Sequence, residues 1–315
     1  MAGQGAILQT ERTLPALGLI LIYAALIGWA DNFVRIIAAE AGLWQFHATR
    51  SLLAIGLLCV VAQVTRRALR PRNLRAVVGR SAIHGVALLI YFGALAFLPV
   101  AIVAAGLFTA PIFVLLINRV AYGVPIGPVQ AVAVLMGFAG VVLVLGPAAL
   151  EGASFAALLP VVAGALYAMG NIATREWCAG ETAETLLAGF FVALGIFGVI
   201  GLVALALWPQ AAPVGAAGFV MRGWVAPSPT FLFWVAVQAV VSVVGVGMMI
   251  RAYQIASASR VAVFEYAILP AAAVWGWIIW DEALTLPAIA GMALIAAAGA
   301  MIALMPGQAS MAARQ

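Results

Sequence analysis

The chain has 315 residues, of which 66% are hydrophobic and only 8% charged, against roughly 45–50% and about 25% in ordinary globular proteins. So few charges cannot clothe a water-facing surface, and a mean hydropathy of +1.18 makes lipid the main solvent. The net charge of +5 comes from 15 basic residues, all arginine, against 10 acidic ones; because the arginines gather beside one hydrophobic segment, they speak for orientation in a bilayer rather than for nucleic-acid binding.

A helix needs about 20 mostly apolar residues to cross the hydrocarbon core. Ten such runs follow one another: Leu14–Ala38, His47–Val64, Ser81–Leu98, Val100–Arg119, Pro128–Leu145, Phe155–Arg175, Glu184–Trp208, Pro229–Ile250, Ser259–Trp280 and Leu286–Met305. The first outlasts a signal-peptide core of about 7–15 residues and contains Asp31 and Arg35, so it is read as a retained helix despite the Ala39-Glu40-Ala41 that follows. Asp31 and Arg35 stand four apart on one helical face and are expected to pair, with Arg50 at the head of the second run competing for Asp31. Pro99 divides the third run from the fourth, since their combined length is too great for one span.

Between the second and third runs lie Arg66, Arg67, Arg70, Arg72, Arg75 and Arg80, whereas residues 39–46 and 146–154 carry Glu40 and Glu151 and no arginine. The positive-inside rule puts the arginine segment in the cytoplasm, and ten spans then leave both termini there. Arg119, Arg175, Arg251, Arg260 and Arg314 fall at cytoplasmic ends in this register, while Arg222 does not. His84 and His47, at the starts of the third and second runs, read as solvated end residues, although either could titrate near neutral pH.

The chain carries a faint duplication. Pro111 and Pro270 are 159 residues apart, as are Pro128 and Pro287, Gly140 and Gly299, and Pro147 and Pro306. The first match sets the offset and the others support it. A five-span repeat must place its second copy upside down, which divides the chain into 1–150 and 151–315 as two inverted halves. Inverted repeats are an architecture of secondary transporters, with the substrate site near the midplane between the copies. The offset fails before the eighth span, so the proline- and glycine-rich stretch Trp208–Thr230 reads as an insertion. Pro111 and Pro270, each inside an apolar run, are expected to bend it.

Motifs for catalysis are missing. Without a lysine there is no Walker A loop, and neither HExxH nor GxSxG occurs. Cys59 and Cys178 have no metal-ligand spacing and read as packing residues. No catalytic residue, metal or cofactor is expected. What remains is polar chemistry inside the spans, where a charge costs roughly 2.5–3.5 kcal/mol on insertion scales and demands a reason. Glu265 is read either as a proton-titrating carboxylate or as one held by Arg260 or Arg251. Asp31 is the other candidate for proton coupling. Trp208, Trp224 and Trp280 suit belt positions at the headgroups. Trp29, Tyr91 and Tyr167 fall deeper, where a tyrosine hydroxyl needs a partner and aromatic faces suit flat or cationic solutes.

Ten spans in two inverted halves, Gly28-Trp29-x-x-Asn32 in the first, Arg50 opening the second, proline in the fourth and ninth and Asp281-Glu282 after the ninth together resemble the EamA-type branch of the drug/metabolite transporter superfamily. Gly123 stands where the first half of that pattern would have its acidic residue. Within the branch the chain is most similar to bacterial aromatic amino-acid exporters that also extrude paraquat-like compounds. The resemblance implies an all-α inner-membrane transporter, with spans five and ten as struts and a cavity lined by spans one, three, four, six, eight and nine. Carried onto this sequence, it selects Trp29, Asn32, Tyr91, Phe108, Tyr167, Tyr253 and Tyr266 for substrate, together with Glu265, Pro111 and Pro270; the residues' own reading sets Asp31 beside Glu265 for protons and makes Pro111 and Pro270 hinges. The implied partners are a small-molecule substrate and the lipid bilayer.

Overall fold

The computed structural model describes residues 12–66, 68–94, 98, 100–146, 156, 158–214 and 218–305. Arg67, Pro99, Pro147, Glu151, Pro306 and Arg314 lie outside the described residues. The described chain is all α: α1 (Thr13–Asp31), α2 (Val34–Glu40), α3 (Leu43–Thr65), α4 (Leu74–Ala94), α5 (Val100–Leu107), α6 (Ala110–Tyr122), α7 (Pro128–Leu145), α8 (Leu158–Glu176), α9 (Ala183–Leu207), α10 (Pro229–Ile255), α11 (Ala258–Phe264), α12 (Ile268–Trp280) and α13 (Leu286–Ala303). Counting α1–α2, α5–α6 and α11–α12 as one crossing each, nine crossings among the described residues are long and apolar enough to span a membrane. The remaining helix, α8, carries Asn171, Thr174 and Arg175, which lower its hydropathy, and is packed against α4, α5 and α6. The fold is an all-α, multi-spanning membrane bundle.

Local chemistry sets where these helices start. Pro111, Pro128, Pro229 and Pro287 stand in the first turns of α6, α7, α10 and α13, where a missing N–H costs nothing. Thr182, Ser228 and Thr285 accept from Thr185 N, Phe231 N and Ala288 N as N-caps. Three crossings are interrupted. The first breaks at Asn32–Phe33, where Asn32 Nδ2 donates to the oxygens of Gly28 and Ala272. The fourth breaks at Phe108–Thr109, with Thr109 Oγ1 donating to Gly106 O at 2.6 Å. The ninth passes through one 3-10 turn, Glu265–Ala267. Pro111 and Pro270 therefore sit just after breaks, in the opening turns of new helices, and do not kink continuous ones as the sequence led us to expect.

Side-chain contacts define the two ends of the bundle. At the end carrying Arg66, Arg70 and Arg72, Arg260 donates to Thr13 Oγ1 and Met305 O, Asn73 N to Glu181 Oε1, and Gln254 to Glu181 O. At the opposite end the segment after α9 folds over the α2–α3 turn. Leu43 N donates to Phe219 O, Trp44 Nε1 to Val220 O, and Ser228 Oγ to Glu40. Arg222 Nη1 donates to the oxygens of Ala38 and Ala41. Its place at the arginine-poor end is thus a bond to the carbonyls of buried Ala38 and Ala41 where α2 stops, chemistry a charge count misses.

Helix pairing is regular: α3 with α9, α7 with α13, α1 with α10 and α12, and α8 with α4, α5 and α6. The α7–α13 seam is tight enough that a Cβ on Gly140 would stand 2.7 Å from Gly291 O. Several sequence boundaries move. Helix α4 begins at Leu74, so Arg80 lies inside it and is buried, and the arginine loop is shorter than expected. His84 and His47 are buried within α4 and α3, not solvated ends. Cys178 is packed in the core, whereas Cys59 lies on an exposed face of α3.

Candidate functional site

Two polar groups occupy opposite halves of the interior. The first lies one to two turns from the basic end. Glu265 opens the 3-10 turn of the ninth crossing and is 4% exposed. Its Oε1 accepts from Tyr167 OH at 2.9 Å and its Oε2 from Tyr253 OH at 2.8 Å, with Asn171 Nδ2 at 3.4 Å. Asn171 also donates to Tyr253 OH at 3.0 Å, and its Oδ1 accepts from His84 Nε2 at 2.9 Å. One turn further along α4, Arg80 donates to Thr174 Oγ1 at 2.9 Å and to Leu186 O at 3.2 Å. Helices α4, α8, α9, α10 and α11–α12 are thereby tied together by buried groups.

Every neighbour reaches Glu265 as a donor, the arrangement an acceptor-only carboxylate needs. Among the described residues no cation bonds to it. Arg260 is engaged at Thr13 and Met305, and Arg251 bonds Gln254. Among the described residues neither arginine named from the sequence bonds Glu265, whose partners are Tyr167, Tyr253 and Asn171.

The second group surrounds the break in the first crossing. Phe33 stacks on Trp234 with ring centroids 4.0 Å apart, and Trp29 and Trp280 flank Phe33 at 5.0 and 6.0 Å. Trp275 Nε1 donates to Ala25 O nearby on α1. Asp31 closes α1 as an exposed residue. Arg50 is 8% exposed; its guanidinium lies 4.7 Å from the Phe46 ring centroid, and Nη2 donates to His47 Nδ1 at 3.3 Å. The expected Asp31–Arg35 pair does not form. Arg35 turns instead to Glu282 at 2.8 Å and lies over the Trp280 ring. Crossing-to-crossing contact has beaten the local spacing, and Trp280 joins this aromatic group.

A match to the EamA-like transporter family covers residues 14–146. Over that stretch, the first five crossings, the chain is similar to the family. The chain is 26% identical over 267 residues to a riboflavin transporter of Brucella anthropi, covering 85% of this chain and 88% of that one. A riboflavin transporter of Rhizobium johnstonii is 24% identical over 256 residues, covering 81% and 77%. A solved crystal structure shares the fold with a TM-score of 0.65 at 19% identity, over 96% of this chain and 98% of the other.

The chain thus gathers Tyr167, Tyr253 and Glu265 into one group and Trp29, Asn32 and Asp31 around the break in the first crossing, while Tyr91 meets Phe92, whose ring meets His47. Phe108 and Tyr266 form a third contact, with ring centroids 6.2 Å apart. Tyr266 lies with its ring against Gly137 of α7 and its hydroxyl toward Val134 O. Sequence reasoning passed over Arg80, Asn171 and His47 as site groups. A sharper signal existed for Asn171: an uncharged amide deep in an apolar run must bond something. Among the described residues no three His, Cys, Asp or Glu side chains converge as metal ligands would.

Proposed function

We propose that this membrane transporter carries flat, partly apolar metabolites across the bacterial inner membrane by alternating access. The observation that carries the reading is the ring cluster of Trp29, Phe33, Trp234 and Trp280 beside exposed Asp31, at a broken crossing. Unwound segments at membrane depth are where transporters of this architecture hold substrate. Aromatic or other neutral amino acids moving outward are the first substrate class, with Trp29, Asn32 and Tyr91 nearest to them.

The halves 1–150 and 151–315 are taken as inverted copies, with both termini cytoplasmic. Exchanging each crossing for the one five places on supports this. It turns the first–eighth contact into the sixth–third, the first–ninth into the sixth–fourth, and maps second–seventh and fifth–tenth onto themselves, all of which are present. In this reading the breaks before Pro111 and Pro270 act as hinges, and Glu265 carries the coupling proton, with Asp31 the alternative. Phe108, Tyr167, Tyr253 and Tyr266 line the route between the halves.

A second reading rests on the two riboflavin-transporter relatives: the solute is a flavin-like tricycle, and the direction is inward. Purified protein in liposomes, challenged with L-tryptophan, L-phenylalanine, riboflavin and methyl viologen, decides between them. Saturable flux of one class supports that reading. No flux of any solute would sink transport of this class and favour a non-transporting membrane enzyme or assembly subunit.

A further inference from the structure

At the basic end a cavity of about 590 Å³ lies between α1, α3, α9 and α10, within the range of ligand pockets, about 300–1,000 Å³. Leu58 and Leu187 line it as buried residues, while Val61 of α3 and Val244 of α10 line it 38% and 43% exposed. Apolar surface left open on crossing helices belongs in hydrocarbon, so the cavity is a crevice that opens sideways to the bilayer. Along α10 its lining runs from Val243 to Gln254, about three turns and about 16 Å. That is close to one leaflet's half of a hydrocarbon core about 30 Å thick.

Polar groups joined by direct contacts close the crevice at its basic end. Glu181 lines it from the turn before α9 and is 7% exposed. Its Oε1 accepts from Asn73 N at 2.6 Å, whereas among the described residues its Oε2 accepts no hydrogen bond and no cation pairs with it. Gln254 connects Glu181 to Arg251: its Nε2 donates to Glu181 O at 2.9 Å, and its Oε1 accepts from Arg251 Nη1 at 3.4 Å. Arg251, exposed, also lines the crevice. A nine-tenths buried carboxylate is thus short of one charge-assisted donor, and a guanidinium held beside it has further N–H groups to offer. Glu184 adds a second carboxylate to the lining, and two carboxylates against one guanidinium disfavour a ligand of net negative charge.

We propose that this crevice is a phospholipid site selective for a primary ammonium headgroup, of the phosphatidylethanolamine kind. The ammonium donates to Glu181 Oε2, the phosphate lies by Arg251, and one acyl chain follows α3 and α10 down the leaflet. A choline headgroup carries the same charges without an N–H, and a glycerol headgroup has hydroxyls without a cation, so each leaves Glu181 short of a charged donor. The ligand comes from the bilayer itself, and the site therefore stands whichever solute the protein carries. Since α1 and α3 precede residue 150 and α9 and α10 follow it, a lipid seated here bridges the two parts of the chain.

Native mass spectrometry of the purified protein in micelles tests this, with dioleoyl lipids bearing ethanolamine, choline or glycerol headgroups and with oleylamine as probes. The ethanolamine lipid is expected to bind at least about tenfold tighter than the other two lipids, the loss that follows from one charge-assisted hydrogen bond forgone. It is also expected to outbind oleylamine, which lacks the phosphate. Glu181→Gln should erase the preference over the choline lipid. Gly247→Leu should weaken all three lipids, because a Cβ there meets only Leu187 Cδ2, at 3.6 Å, and the larger side chain fills the crevice. Equal retention of the three lipids by wild type, tightest binding of the glycerol lipid, or no retention of any overturns the proposal. Oleylamine binding as tightly as the ethanolamine lipid makes this a site for amine solutes and overturns the lipid assignment. The wild-type comparison needs no variant, so a misfolded substitution leaves the outcome decided.

Discussion

Replacing Tyr253 with phenylalanine removes one oxygen from the most enclosed part of the molecule. That hydroxyl donates to Glu265 Oε2 at 2.8 Å and accepts from Asn171 at 3.0 Å. Hydrogen bonds between membrane helices average only about 0.6 kcal/mol, because the separated helices find other partners. A bond to a charged acceptor is stronger, about 1.5–3 kcal/mol, and Glu265 has no bonded cation to fall back on. We therefore expect Tyr253→Phe to cost about 2 kcal/mol, a roughly thirtyfold change in the unfolding equilibrium. Unfolding of the purified protein in mixed micelles, followed by denaturing-detergent titration, measures it. Repeating the substitution in a Glu265→Gln background removes the charge from the acceptor, and the cost should fall to about 0.6 kcal/mol, roughly threefold. Equal costs in the two backgrounds would refute the claim that an anionic carboxylate organises this cluster.

Other outcomes follow from the same contacts. Gly291→Val drives a side chain into the backbone of α7 at Gly140 and Val144 and should destabilise the bundle by about 1–3 kcal/mol, read in the same titration. Arg35→Ala breaks a pair half-open to solvent, so its effect on unfolding should stay under about 1 kcal/mol. If Glu265 carries the coupling proton, Glu265→Gln in liposomes transports without responding to an imposed pH gradient, whereas wild type responds; an unchanged response removes that role. Arg222→Ala frees the carbonyls of Ala38 and Ala41 and should speed protease cleavage in the segment after α9, while the core unfolds as in wild type.

Much of the fold was legible because bilayer thickness imposes a length on every crossing. Apolar runs therefore name most helices directly, and Pro128 and Pro229 stood at the starts of runs where α7 and α10 begin. The site was legible where residue chemistry alone demands a partner: Tyr167, Tyr253 and Glu265 converge, and Trp29, Asn32 and Asp31 share one break. It failed where partners come from distant crossings. Asp31 and Arg35 have helix spacing for a pair, but the chain unwinds at Asn32 and Arg35 finds Glu282, 247 residues away. Arg80 and His84 were lost for another reason. Helix α4 starts inside the arginine-rich segment, so hydropathy assigned its first two turns to a loop.

The glycines at the α7–α13 seam have a mechanical meaning. Where backbone meets backbone with no side chain between, no compressible layer exists to let the fifth and tenth crossings slide apart or tilt freely. On the transport reading proposed above, the motion that admits and releases cargo would leave this contact nearly unchanged, with the seam as its axle.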